Sequence, residues 1–104
     1  MKNKDLNKYL DVLINKIWKI MPLMQENQEN ALKYIKSLNV ELKGAKNYFS
    51  STYFTSIVFS IDGLSNGITD YNVVRAKVLE CINYVNKIKK EIKGIEESPR
   101  TLMT

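Results

Sequence analysis

Apolar residues recur along this chain at alternating steps of three and four, the spacing that lays one stripe along an α-helix. The longest stripe is Tyr71, Val74, Val78, Cys81, Val85, Ile88, Ile92 and Ile95, with Asn, Lys and Glu on the other faces. It predicts a helix packed along one side against its neighbours. Thr69 or Asp70 offers the N-cap, and Gly94, followed by Pro99, marks the predicted end. A second stripe, Leu6, Leu10, Leu13, Ile17, Ile20 and Met24, opens the chain. Ile14 and Met21 widen it to the face of a bundle helix. Pro22 lacks an amide donor and disfavours helical geometry at Met21, so this helix should end or kink near Ile20.

Between these stripes the signals are shorter. Gln25-Glu26-Asn27-Gln28-Glu29-Asn30 is a doubled polar triplet that reads as a connection or a frayed first turn. Ala31, Ile35, Leu38 and Leu42 then define a helix that stops at Gly44. The next segment carries two patterns at once. Tyr53, Thr55, Ile57, Phe59 and Ile61 alternate as in a strand, while Phe54, Ile57, Ile61 and Leu64 fit a helix. A lone strand would leave its edge hydrogen bonds unmade, which favours the helix. Asp62-Gly63-Leu64-Ser65-Asn66-Gly67 supplies a turn before the last helix.

The expected architecture is therefore all-α, with helices near 3–20, 27–43, 46–62 and 70–94. Short links favour an antiparallel up-down-up-down four-helix bundle. At 104 residues the chain has room for one core, so residues 1–95 form a single domain and 96–104 a flexible tail.

Charge adds a prediction about surfaces. The net charge is +5 and the pI about 9.3. In an up-down bundle the first helix's start, the second–third junction and the last helix's end share one pole. Lys2, Lys4, Lys8, Lys43, Lys46, Lys87, Lys89, Lys90 and Lys93 fall near it, and Glu26, Glu29, Asp62 and Asp70 near the other. Lysines at a helix end complement its dipole, which accounts for Lys87 to Lys93 but not for Lys2 and Lys4 at a helix start. The pole is thus a candidate docking surface for an acidic partner. Trp18, Tyr48 and Phe49 lie off the seams, as do Val73 and Leu79, and aromatic residues of this kind anchor interfaces.

Candidate chemistry is sparse. With no histidine, the chain lacks the commonest general base and metal ligand. Cys81 has no thiol partner and sits in a seam as a small hydrophobe. Asp62 to Val73 begins like a calcium loop but has Leu64 at its third position and Val73 at its twelfth. No P-loop, dinucleotide fingerprint or HExxH occurs. Ser50, Ser51, Ser56 and Ser60 have no base to activate them. These readings point away from an enzyme and from any cofactor. No apolar run is long enough for a membrane span and no secretory leader is visible, so the expected location is cytoplasmic.

Leu42-Lys43-Gly44 resembles the W/L-x-G turn of the small type VII secretion partners, but Pro22 and the Gly63–Gly67 turn interrupt both arms of their long hairpin. In size, charge and helical pattern the chain is similar to bacteriocin immunity proteins of Gram-positive bacteria. That likeness implies a small protein that neutralises another protein. Its 11 Asn, 14 Lys and 11 Ile are encoded by A/T-rich codons, as in A+T-rich bacteria, phages or plasmids. The expected function is a cytosolic protein-binding module of the immunity-protein or phage- or plasmid-encoded inhibitor type, with Trp18, Tyr48, Phe49, Lys4, Lys8, Lys43, Lys46, Lys87, Lys90 and Lys93 as its candidate contacts. The alternatives are a largely non-specific nucleic-acid binder and a homo-oligomeric structural component. Only Arg75 and Arg100 are available for base reading, which weighs against the first.

Overall fold

The computed structural model describes residues 3–67 and 70–103, with side-chain surroundings for residues 4–67 and 70–94. Five α-helices make four rods: α1 (Asn3–Trp18) with α2 (Ile20–Glu26), α3 (Gln28–Ala45), α4 (Thr52–Ser65) and α5 (Tyr71–Met103). No strand occurs among the described residues, so the ambiguous third segment is helical.

Pro22 accounts for the division of the first rod. It has no amide to give the carbonyl of Trp18, and its ring crowds that same carbonyl. Trp18 is accordingly the last residue of α1. Lys19 keeps helical angles, and the Leu23 amide still reaches its carbonyl at a stretched 3.4 Å. The rod kinks rather than ends. At the doubled polar triplet, Asn27 turns extended and its side chain accepts from the amides of Glu29 and Asn30, capping α3. Asp70 likewise accepts from the amide of Asn72 at the start of α5; Thr69, the other candidate cap, and Lys2 lie outside the described residues.

Three predicted boundaries are corrected. The third rod begins at Thr52, not 46. Lys46–Tyr48 form a 3-10 turn, Phe49 is extended, and Ser51 caps α4 by accepting from the amide of Tyr53. Asp62, Gly63 and Leu64 remain helical, and the chain turns at Gly67, whose φ of 154° suits glycine. Gly94 does not stop α5, which runs on through Pro99 to Met103 and takes in most of the stretch expected to be a tail. A single interior glycine costs a helix only about 1 kcal/mol relative to alanine.

The stripes meet in one core. Leu10, Leu13, Ile17, Ile20, Ala31, Ile35, Leu42, Phe54, Ile57, Ile61, Val78, Cys81 and Val85 are fully buried. Cross-rod contacts run antiparallel. Tyr9 meets Glu41 while Lys16 meets Tyr34, and Asp11 meets Lys89 while Gln25 meets Tyr71. Ser51 meets Glu91, and Tyr53 stacks on Tyr84. This pairing is compatible with an up-down-up-down bundle.

Candidate functional site

The antiparallel order brings the start of α1, the α3–α4 junction and the Ile88–Ile92 turn of α5 together at one end. Leu6, Phe49, Ile88 and Ile92 form the apolar part of a hollow of about 340 Å³, completed by Tyr48, Ser50–Thr52 and Glu91. A second, almost wholly apolar hollow of about 240 Å³ lies alongside, lined by Tyr9, Glu41, Ala45, Tyr48 and Phe49. Tyr48 borders both and is 57% exposed.

Phe49 has a different role from the spare anchor expected. Because the junction is extended, its ring turns inward and stacks on the buried Phe54, 4.4 Å between centroids and nearly parallel. Tyr9 packs against its other side at 6.1 Å. Phe49 therefore floors the site and is half-buried.

Behind the second hollow stands a polar cluster. Glu41 accepts from the Tyr9 hydroxyl at 2.8 Å and from Lys16 at 2.7 Å, and the Tyr34 hydroxyl donates to the Lys16 carbonyl. Burial pushes the Glu41 carboxyl upward, but the hydrogen bonds from Lys16 and Tyr9 outweigh it and hold the group below its ordinary range. Burial first, then the bond to Glu41, pushes the Tyr9 phenol up. Tyr9 thus stays neutral and Glu41 charged, and their hydrogen bond ties α1 to α3.

The lysines divide into two groups. Lys43 reaches Asp62 at 3.0 Å, Lys89 pairs with Asp11, and Lys87 lies over the rings of Tyr53 and Tyr84 at 5.2 and 5.9 Å. Lys43 and Asp62 were expected at opposite poles. The lysine stem and the late start of α4 bring them level, and the hydrogen bond from Asn39, with that from Lys43, holds the Asp62 carboxyl low. The side chains of Lys4, Lys8, Lys46 and Lys90 are exposed and make no ion pair or hydrogen bond within the described residues. Each sits within two residues of one that lines the larger hollow. Lys93 is exposed a turn further along α5.

Trp18 is 43% exposed at the kink, at the far end of α1, and the structure does not bring it to this site. Cys81 is fully buried, and desolvation pushes its thiol up to about 12. Among the described residues no group of three or more His, Cys, Asp or Glu could hold a metal ion, and no helix is long and apolar enough to cross a membrane.

Sequence reasoning missed Tyr9 and Glu41 and the capping role of Ser51, and its reading of Ser51 as a serine without a base is corrected: the hydroxyl donates to Glu91 at 2.5 Å. Ser51 carried a readable signal, a capping serine just before an apolar helical run. Tyr9 and Glu41 carried none, being 32 residues apart and joined only by the fold. Comparisons with protein-family models, with curated proteins and with solved structures each found no match.

Proposed function

We propose that this chain is a protein-binding module that blocks or adapts another protein by docking an acidic segment of it at the lysine-bearing pole. The observation that carries this is Tyr48, exposed between two hollows, with four lysines on the adjoining segments whose side chains have no partner among the described residues. A tyrosine flanked by hollows is the kind of residue that concentrates binding energy. Exposed lysines add orientation and association rate rather than raw affinity. An intracellular inhibitor, of the immunity type or carried by a phage or plasmid, fits this reading. Catalysis is not part of this reading: the Ser51 hydroxyl, which donates to Glu91 at 2.5 Å, serves here as the cap of α4.

The test compares tagged wild-type protein with a Tyr48→Ala, Lys46→Glu, Lys90→Glu variant, both exposed to the proteome of the source organism. A protein retained by the wild type at moderate salt and lost by the variant supports the reading. Equal retention by both overturns it. Capture that nuclease abolishes would instead favour the nucleic-acid alternative. The four lysines of the pole would then contribute roughly −3.6 to the log–log salt slope.

A further inference from the structure

We propose that the outward face of α4 is a self-association surface, on which two copies of this chain pack antiparallel, each seating Phe59 beside the partner's Phe59. Phe59 is 80% exposed, the most exposed of the large hydrophobic residues described. It points directly away from the seam that buries Phe54, Ile57, Ile61 and Leu64. Thr52, Thr55, Ser56 and Gly63 share its side of the helix, with Asp62 at the edge as its one charge, so the face is small-featured. Small side chains let two backbones approach closely around a protruding ring.

Charge selects the occupant. The chain carries +5, and α1, α3 and α5 all bear lysines, so most approaches of a second copy bring like charges together. Helix α4 has no basic residue, and its one charge, Asp62, is tied to Lys43 and Asn39. A strongly acidic partner would be drawn to the lysine-bearing faces and would gain little here. A second copy, by contrast, can approach along α4 without repulsion.

Shape is also self-complementary. Phe59 itself forms one wall of an open hollow of about 330 Å³ between α4 and α5, completed by Thr55, Ser56, Ser60, Lys77, Glu80 and Tyr84. It is roomy enough for a phenyl ring, and its two charged residues, Lys77 and Glu80, face each other at 3.9 Å and cancel. A knob and a hole on one face are what an isologous twofold contact needs. The face is small: a 14-residue helix is about 21 Å long and supplies roughly half of the ~800 Å² per partner of a standard interface. Association is therefore weak and belongs to high protein concentration.

Sedimentation equilibrium of the full chain, from micromolar to millimolar, tests this. The expected mass climbs from 12.1 kDa toward twice that value, and Phe59→Lys raises the dissociation constant at least about tenfold. Because Phe59 is exposed, circular dichroism of the variant should match the wild type. Crosslinking locates the contact. In an antiparallel pair Ser56 stands level with the partner's Gly63, so a mixture of Ser56→Cys and Gly63→Cys chains should form a disulfide-linked dimer on mild oxidation, whereas Lys36→Cys, on the outer side of α3, should not crosslink with either; Cys81 is buried and stays silent. A wild type that remains monomeric at millimolar concentration, a Phe59→Lys variant that associates equally well, or equal crosslinking by Lys36→Cys would overturn the proposal.

Discussion

Truncating Phe49 to alanine separates a floor residue from a loose anchor. A fully buried phenylalanine costs ~3–5 kcal/mol when cut to alanine. Phe49 is half-buried, so about half of that applies, roughly 2 kcal/mol. Its near-parallel stack on Phe54 adds up to about 1 kcal/mol beyond area. The expected loss is therefore about 2–3 kcal/mol, from a total that for a domain of this size is ~5–15 kcal/mol. Urea unfolding followed by circular dichroism measures it, and heating should show a midpoint lower by roughly 10–20 °C. A double-mutant cycle with Phe54→Ala should return a coupling of about 1 kcal/mol, since the two rings share one contact. A loss below about 0.5 kcal/mol, the range of ordinary surface substitutions, with no coupling to Phe54, would refute the stacked arrangement and with it the floor of the site.

Three further outcomes follow from the same structure. Asn27→Ala removes the cap of α3 and should cost about 1 kcal/mol in urea unfolding, with Asn27→Ser recovering most of it. Glu41 has a folded pKa below its ordinary 4.5, so its stabilising contribution is full above that value and fades as pH falls through the lower folded one; Glu41→Gln should flatten that part of the acid-unfolding curve, and an unchanged curve would argue against the Tyr9–Glu41–Lys16 cluster. Cys81, buried and with its thiol pushed up to about 12, should resist a thiol reagent in the native protein and react at once in denaturant.

What was legible in the sequence was whatever depends on local period. Leu10, Leu13, Ile17 and Ile20, and likewise Val78, Cys81 and Val85, lie three or four apart and all are buried, because a helix puts such positions on one side whatever its neighbours are. Phe59 shows why the third segment is a helix. In a strand it would share a face with the buried Ile57 and Ile61, yet it stands 80% exposed. The stop at Gly94 was misread because glycine permits a helix end without enforcing one; Gly67, where the chain does turn, adopts positive φ. The site was legible only in outline. Convergence of three chain segments at one pole follows from antiparallel order, but the pairing of Lys43 with Asp62, the inward turn of Phe49 and the burial of Asn39 depend on contacts between rods. Asn39 illustrates the limit: its amide donates to Asp62 and Ser65, while its buried carbonyl oxygen has no partner among the described residues, a polar choice no periodicity would select.

The most direct measurement of the docking claim is the affinity of a purified captured protein for two variants side by side. One carries Lys4→Glu, Lys8→Glu, Lys46→Glu and Lys90→Glu; the other carries Phe59→Lys on the outward face of α4. Charge reversal at the pole should weaken binding at least about tenfold and erase most of its salt dependence, while the α4 variant binds as the wild type does. Undiminished binding by the pole variant would contradict the account.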